Sequence, residues 1–166
     1  MDAPDLQAAT RAAAALDFTV ALVEQPYRVA GRRNQPPARQ LDTSWLEVVA
    51  QLRDRELHGA PLVFGGRSAG ARVACRTAAD GGAVAVLCLA FPLHPPGRGD
   101  DPSKSRIGEL DAVTTPVLVV QGVSDPFGMP PAARCRTVVR VPGNHSLRST
   151  AAIEAAVAEW LPGAAI

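Results

Sequence analysis

Lysine is almost missing from this sequence: Lys104 stands against sixteen arginines, and alanine is abundant. That imbalance reads as GC-rich coding bias in a bacterial source and carries no chemistry. No charge sign predominates either. Basic and acidic side chains number 17 and 16, a net charge of +1, so nothing signals the basic face that affinity for phosphate backbones requires, and no nucleic-acid partner is expected. No run approaches the roughly 18 uninterrupted apolar residues of a membrane span. The N-terminus lacks the basic segment and apolar stretch of a secretory signal. These two absences point to a soluble, cytoplasmic protein without a membrane partner. The three cysteines, Cys75, Cys88 and Cys135, form an odd set with no CxxC or Cys/His ligand spacing, so free thiols and no metal are expected.

What remains is ample for one core. In 166 residues, 47% are hydrophobic, which fits a single domain over 1–166. Five short apolar runs, at 20–23, 62–64, 84–89, 117–120 and 138–141, alternate with segments of helical spacing. The first four are almost continuously apolar, as parallel strands covered on both faces are. The fifth carries Arg140 and is placed at a sheet edge. A first helix is expected from Pro4, with Leu6, Ala9, Ala13 and Leu16 inward. A second is expected over 42–57, opened by the capping-box pattern Ser44-Trp45-Leu46-Glu47. A last helix is expected over 149–160, with Ile153, Val157, Trp160 and Leu161 on one stripe and Pro162-Gly163 as its stop. The alternation predicts an α/β fold: an open, mostly parallel sheet of about five strands with helices on both faces. Two Pro-rich stretches, 25–41 and 91–106, read as long loops of functional or merely connecting character.

One segment, Leu62-Val63-Phe64-Gly65-Gly66-Arg67-Ser68-Ala69-Gly70, contains GxSxG at Gly66, Ser68 and Gly70. Chance gives about 0.05 such pentapeptides in a chain of this composition, so its weight comes from context. An apolar run precedes it and a helical segment, 69–79, follows, the setting of a nucleophile elbow. A serine held on a sharp strand-to-helix turn needs small neighbours, and glycine supplies them. The same segment matches neither GxxxxGK[ST] nor GxGxxG, which disfavours a nucleotide site.

A serine hydroxyl needs a base, and the base needs a group to fix its tautomer. Asp125 follows the run 117–120 and His145 follows 138–141, so both belong on the sheet edge where Ser68 sits. The order Ser68, Asp125, His145 is that of α/β hydrolases. Taken singly, Asp125 reads as a turn former before Pro126, His145 as an idle loop histidine, and Ser68 as part of any tight strand-to-helix turn. Jointly they read as a triad. His58 reads as a helix-end residue. His94, in the 91–106 loop, is a candidate for the substrate pocket. Arg67, beside the serine, reads either as a pocket cation for an anionic substrate or as a solvated side chain. A metal site from His94, His145 and Asp125 matches no ligand spacing.

At these residues the chain resembles the α/β-hydrolase superfamily, in particular small dienelactone-hydrolase-like proteins and the branch containing the hydrolase-like subunit 3 of the NSL histone-acetyltransferase complex. The stretches that carry the resemblance are 1–5, 23–28, 65–75, 91–98, 121–127 and 143–147. It implies Ser68 as nucleophile, Asp125 as orienting acid, His145 as base and the Ala69 amide as one oxyanion donor; Phe127 joins Arg67 and His94 as a candidate for the substrate pocket. It also implies hydrolysis of an ester or related acyl substrate without a cofactor, although some relatives act as scaffolds. Family members open with a strand and a glycine-rich loop that would precede the segment 1–5. An N-terminally truncated version of the fold is therefore expected, its unpaired strand edge open to self-association. A non-catalytic binding or scaffold protein with an incomplete oxyanion hole is the alternative.

Overall fold

The computed structural model describes residues 3–165. Met1 and Asp2, part of the stretch 1–5 named above, lie outside the described residues. Four strands, β1 (Leu62–Arg67), β2 (Ala83–Leu89), β3 (Val117–Gly122) and β4 (Arg136–Val141), form one parallel sheet in sequential order. Helices α1 (Pro4–Ala14), α2 (Pro26–Val29), α3 (Ala38–Asp54), α4 (Ala69–Thr77), α5 (Ile107–Asp111) and α6 (Thr150–Ala164) surround it.

The near-continuous apolar runs have the origin expected of them. Successive residues on a strand point to opposite faces. On β3, Val117 and Val119 enter one core with Val49, Ala74 and Leu110 from α3, α4 and α5. Leu118 and Val120 enter a second core with Ala8 and Ala12 of α1 and Ile153, Val157 and Leu161 of α6. A strand with helices on both sides has no face left for polar residues. β4 does stand at an edge, with Arg140 exposed.

The sheet has four strands where about five are expected. Residues 20–23 are unpaired, and Val20 and Leu22 are exposed. Among the described residues β1 pairs with β2 alone, which leaves its other edge open. Between that edge and residues 19–23 runs an apolar groove of about 460 Å³, whose lining includes Val20, Leu22, Trp45, Val63 and Leu87. An apolar run makes a strand only where a neighbour offers hydrogen bonds, and here the groove separates the two backbones.

Helix ends also move. The second long helix begins at Ala38, six residues before Ser44, so the capping-box reading fails and Ser44 lies within α3. Pro37 takes the N-cap position, and Ala38, Arg39 and Gln40 behind it are good helix formers. The last helix runs through Pro162 to Ala164. Pro162 has no amide to give the Ala158 carbonyl, but it lies two residues from the end of α6, so only the last turn is weakened and the helix passes it. On α1 the buried face is Asp5, Ala8, Ala9 and Ala12, with Leu6 and Ala13 only partly covered and Leu16, also partly covered, past the helix end.

All three cysteines are free thiols. Cys75 and Cys88 are buried with their sulfurs 3.5 Å apart, and the hydrogen bond between them, then burial, pushes the Cys88 thiol well above its ordinary pKa. A half-buried ion-pair cluster joins three helices on the same side of the sheet. Arg76 pairs with Asp42 and Glu109, and Arg72 with Glu109. Burial opposes the charge on Arg76, but Asp42 and Glu109 outweigh it and raise its pKa. No helix among the described residues is long and apolar enough to cross a membrane.

Candidate active site

β1 ends at Arg67 and α4 begins at Ala69, so the whole strand-to-helix reversal falls on Ser68. Its backbone stands at φ 52°, ψ −113°, outside the regions an L-residue prefers, a conformation that costs about 1–3 kcal/mol and persists only where surroundings impose it. Here the Ser68 amide donates to the Leu89 carbonyl at 2.9 Å, and its own carbonyl accepts from the Arg72 amide in the first turn of α4. The two glycines of the motif differ. A Cβ on Gly66 would lie 2.3 Å from the carbonyl carbon of Gly70 and 2.7 Å from the Ala71 nitrogen, so only glycine lets strand and helix come this close. A Cβ on Gly70 would meet nothing within 4 Å. Its smallness is not what the turn uses.

Asp125 and His145 follow the C-terminal ends of β3 and β4, on the edge where β1 delivers Ser68. His145 Nε2 lies 2.9 Å from Ser68 Oγ, and His145 Nδ1 lies 2.9 Å from Asp125 Oδ2. The carboxylate only accepts, so the imidazole carries its proton on Nδ1 and turns the Nε2 lone pair toward the serine hydroxyl. The Asp125 side chain is fully buried while that of His145 keeps 19% exposure, so the pair opens to solvent at the imidazole end. The Phe127 ring lies 4.2 Å from the His145 ring at 36°, and the Phe127 amide donates to Asp125 Oδ1. Phe127 therefore braces both partners.

The other pocket candidates have partners of their own. The Arg67 guanidinium donates to Asp5 and to the carbonyl of His145, while its side chain keeps 30% exposure. His94 Nδ1 is 2.9 Å from the Pro95 carbonyl, and the backbone amide of His94 donates to the Phe127 carbonyl. The 91–106 loop is thereby tied to the turn that carries Asp125. Beside Ala69 a cavity of about 210 Å³ is lined by Gln35, Pro36, Leu41, Arg72 and Arg76, so the 25–41 stretch also reaches the site. Among the described residues no three His, Cys, Asp or Glu side chains gather as a metal-binding set.

Three contributors escaped the sequence reading. Gln121, fully buried, donates through its amide nitrogen toward Phe91 O, Asp125 Oδ2 and Gly128 O at 2.8–3.1 Å. The signal was there: a polar residue closing an apolar strand run, four positions before Asp125. Gly122 faces the histidine loop so closely that a Cβ would lie 2.6 Å from the Asn144 carbonyl oxygen. Asp5, the third, sits 62 positions from its partner Arg67, and no local pattern connects them. Replacing Gln121 with leucine will strip buried acceptors of their donor and lower stability by about 1–3 kcal/mol, read from the denaturant midpoint at unchanged slope.

A conserved-domain family described as the alpha/beta hydrolase domain matches residues 1–159. The chain belongs to the α/β-hydrolase family. No curated protein matches the sequence significantly. Among solved structures, an α/β-hydrolase-superfamily protein from Xanthomonas campestris pv. campestris is 22% identical with a TM-score of 0.70, covering 98% of this chain and 91% of that one. A second protein from Xanthomonas campestris, a member of the a/b serine hydrolases without lid, is 22% identical with a TM-score of 0.66, over 98% of this chain and 76% of its own. An α/β serine hydrolase homologue from Coxiella burnetii is 14% identical with a TM-score of 0.65, over 96% and 76%. At these identities the likeness is one of fold, and this chain is an α/β hydrolase by its domain.

Proposed function

We propose that this α/β hydrolase is a serine hydrolase acting on a small-molecule ester or related acyl substrate through Ser68, His145 and Asp125. The observation that carries the reading is the chain of two 2.9 Å contacts from Asp125 Oδ2 through the imidazole to Ser68 Oγ. Distance and tautomer suit general-base activation of the hydroxyl. His145 Nε2 takes the hydroxyl proton as Oγ attacks the acyl carbon. The negative charge passes to the carbonyl oxygen, where the Ala69 amide, the first of α4 and without an intrahelical acceptor, donates to it. The imidazolium then protonates the leaving oxygen, and the acyl group stays on Ser68. Water, deprotonated by the same nitrogen, attacks the acyl carbon, the bond to Oγ breaks to release the acid, and the proton passes from the imidazolium back to Ser68 Oγ. Asp125 holds the imidazole and offsets its charge throughout. Within the family we place the chain nearest the small dienelactone-hydrolase-like proteins and the NSL-subunit-3-like branch, on the residues quoted above, and we place its work in the cytoplasm.

A fluorophosphonate probe tests the reading without a known substrate. Wild-type protein is expected to take one label on Ser68, absent in Ser68→Ala. Well-folded protein that resists the probe overturns the catalytic reading and leaves the binding or scaffold role.

A further inference from the structure

Arg67 precedes the nucleophile, and its side chain reaches across to the loop that carries the base. Its Nε donates to Asp5 Oδ2 at 2.6 Å and its Nη2 donates to the backbone carbonyl of His145 at 3.0 Å. Asp5 is fully buried, and its second oxygen accepts from the Leu6 amide, which binds the carboxylate to the first turn of α1. The guanidinium thus bridges three elements: the end of β1, the start of α1 and the loop after β4.

The histidine loop calls for such a support. It reverses through Gly143 at φ 113° and Leu147 at φ 43°, both left-handed, and the second is unfavourable for a leucine. Leu147 is fully buried in the core with α1 and α6, which anchors the loop's far end. Within the loop, the Ser146 amide donates to the Asn144 side chain and the Leu147 amide to the Asn144 carbonyl. The Ser146 amide shares its peptide plane with the His145 carbonyl, so Asn144 holds that plane from within the loop and Arg67 holds it from β1, the one of the two that ties it to the nucleophile's strand.

We propose that Arg67, paired with Asp5, is a positioning residue that holds the His145 backbone so that Nε2 faces Ser68 Oγ. Nucleophile and tether are adjacent on one strand end, so a shift of β1 carries both toward the base together. Asp5 has two parts in this. It orients the fork so that one guanidinium nitrogen is left for the carbonyl, and it neutralises a cation lodged near an imidazole that must become positive during acylation. The inference rests on the hydrolase reading for its catalytic consequence, and on geometry alone for the tether.

The test compares Arg67→Gln, Arg67→Lys and the double variant D5N/R67Q, which removes both charges and so spares the fold a buried carboxylate without its cation. Two readouts are taken on folded protein. The first is fluorophosphonate acylation, separated into half-saturating probe concentration and limiting rate. Arg67→Gln and the double variant are expected to lose about tenfold to a hundredfold in limiting rate, the scale of a small misplacement, with the half-saturating concentration unchanged. Arg67→Lys should recover part of it. The second is the proton resonance of His145 Nδ1–H, pinned by Asp125 in wild type and broadened or shifted in the two glutamine variants. Limiting rates within twofold of wild type, together with an unchanged resonance, overturn the proposal. If wild type takes no label, the catalytic reading falls by itself. The resonance then decides the tether: unchanged in the double variant, it refutes the positioning role, and altered, it sustains it.

Discussion

Alanine in place of His145 will slow acylation of Ser68 by about 10⁶-fold, and alanine in place of Asp125 by about 10⁴-fold, by analogy with triads dissected residue by residue. The order follows from the geometry. His145 Nε2 stands at hydrogen-bond distance from Ser68 Oγ, so without the imidazole the hydroxyl must react with no base beside it. Without Asp125 the imidazole remains but its tautomer is free, and the proton can settle on the nitrogen that faces the serine. The Asp125 loss is the smaller because Phe127 still stacks on the ring and the loop still holds the residue in place. His145 is partly exposed, so its removal should leave thermal unfolding close to wild type. Stopped acylation in a folded variant is the signature. Equal rates in wild type and His145→Ala would show that the serine reacts without its neighbour.

A second large effect belongs to the elbow, and it separates two glycines that look alike in the motif. Gly66→Ala is expected to destabilise the fold by more than about 4 kcal/mol, the range reserved for changes that structure cannot absorb. The added methyl would meet the backbone of Gly70 at 2.3 Å and of Ala71 at 2.7 Å. Backbone at a strand-helix junction has no rotamer to change, so β1 and α4 must separate, and the core they share with Phe64, Ala71 and Ala74 opens with them. Gly70→Ala, in open space near the start of α4, should be neutral or stabilising by up to about 1 kcal/mol through helix propensity. Denaturant unfolding of the two variants side by side checks the pair. Similar losses at both positions would refute the steric account.

Four of the five apolar runs became strands and the first, 20–23, did not, and the difference is instructive. Runs 62–64, 84–89, 117–120 and 138–141 all sit in β1–β4 because each finds a parallel neighbour. The run 20–23 is as continuously apolar as these, yet it lies across a groove from the open edge of β1. Strand character is a property of a pair, and hydropathy reports only one member. The misplaced start of α3 has a related cause. Ser44 and Glu47 satisfy the capping pattern, but a chain already turning at Ala38 makes them interior residues.

Local chemistry set out in advance the parts that depend on neighbours in the chain: the elbow around Ser68, four of the apolar strands, the apolar stripe of α6, and the order in which serine, acid and histidine appear. Everything that joins distant positions was left to the folded state. That includes the 2.9 Å contacts of His145 with Ser68 and Asp125, the donor Gln121 beneath Asp125, the narrow approach of Gly122 to the histidine loop, and the bridge from Asp5 through Arg67 to His145. The reason is physical: hydropathy and turn propensity act over a few bonds, whereas a hydrogen bond between residues 62 or 78 positions apart exists only once packing has brought their backbones together.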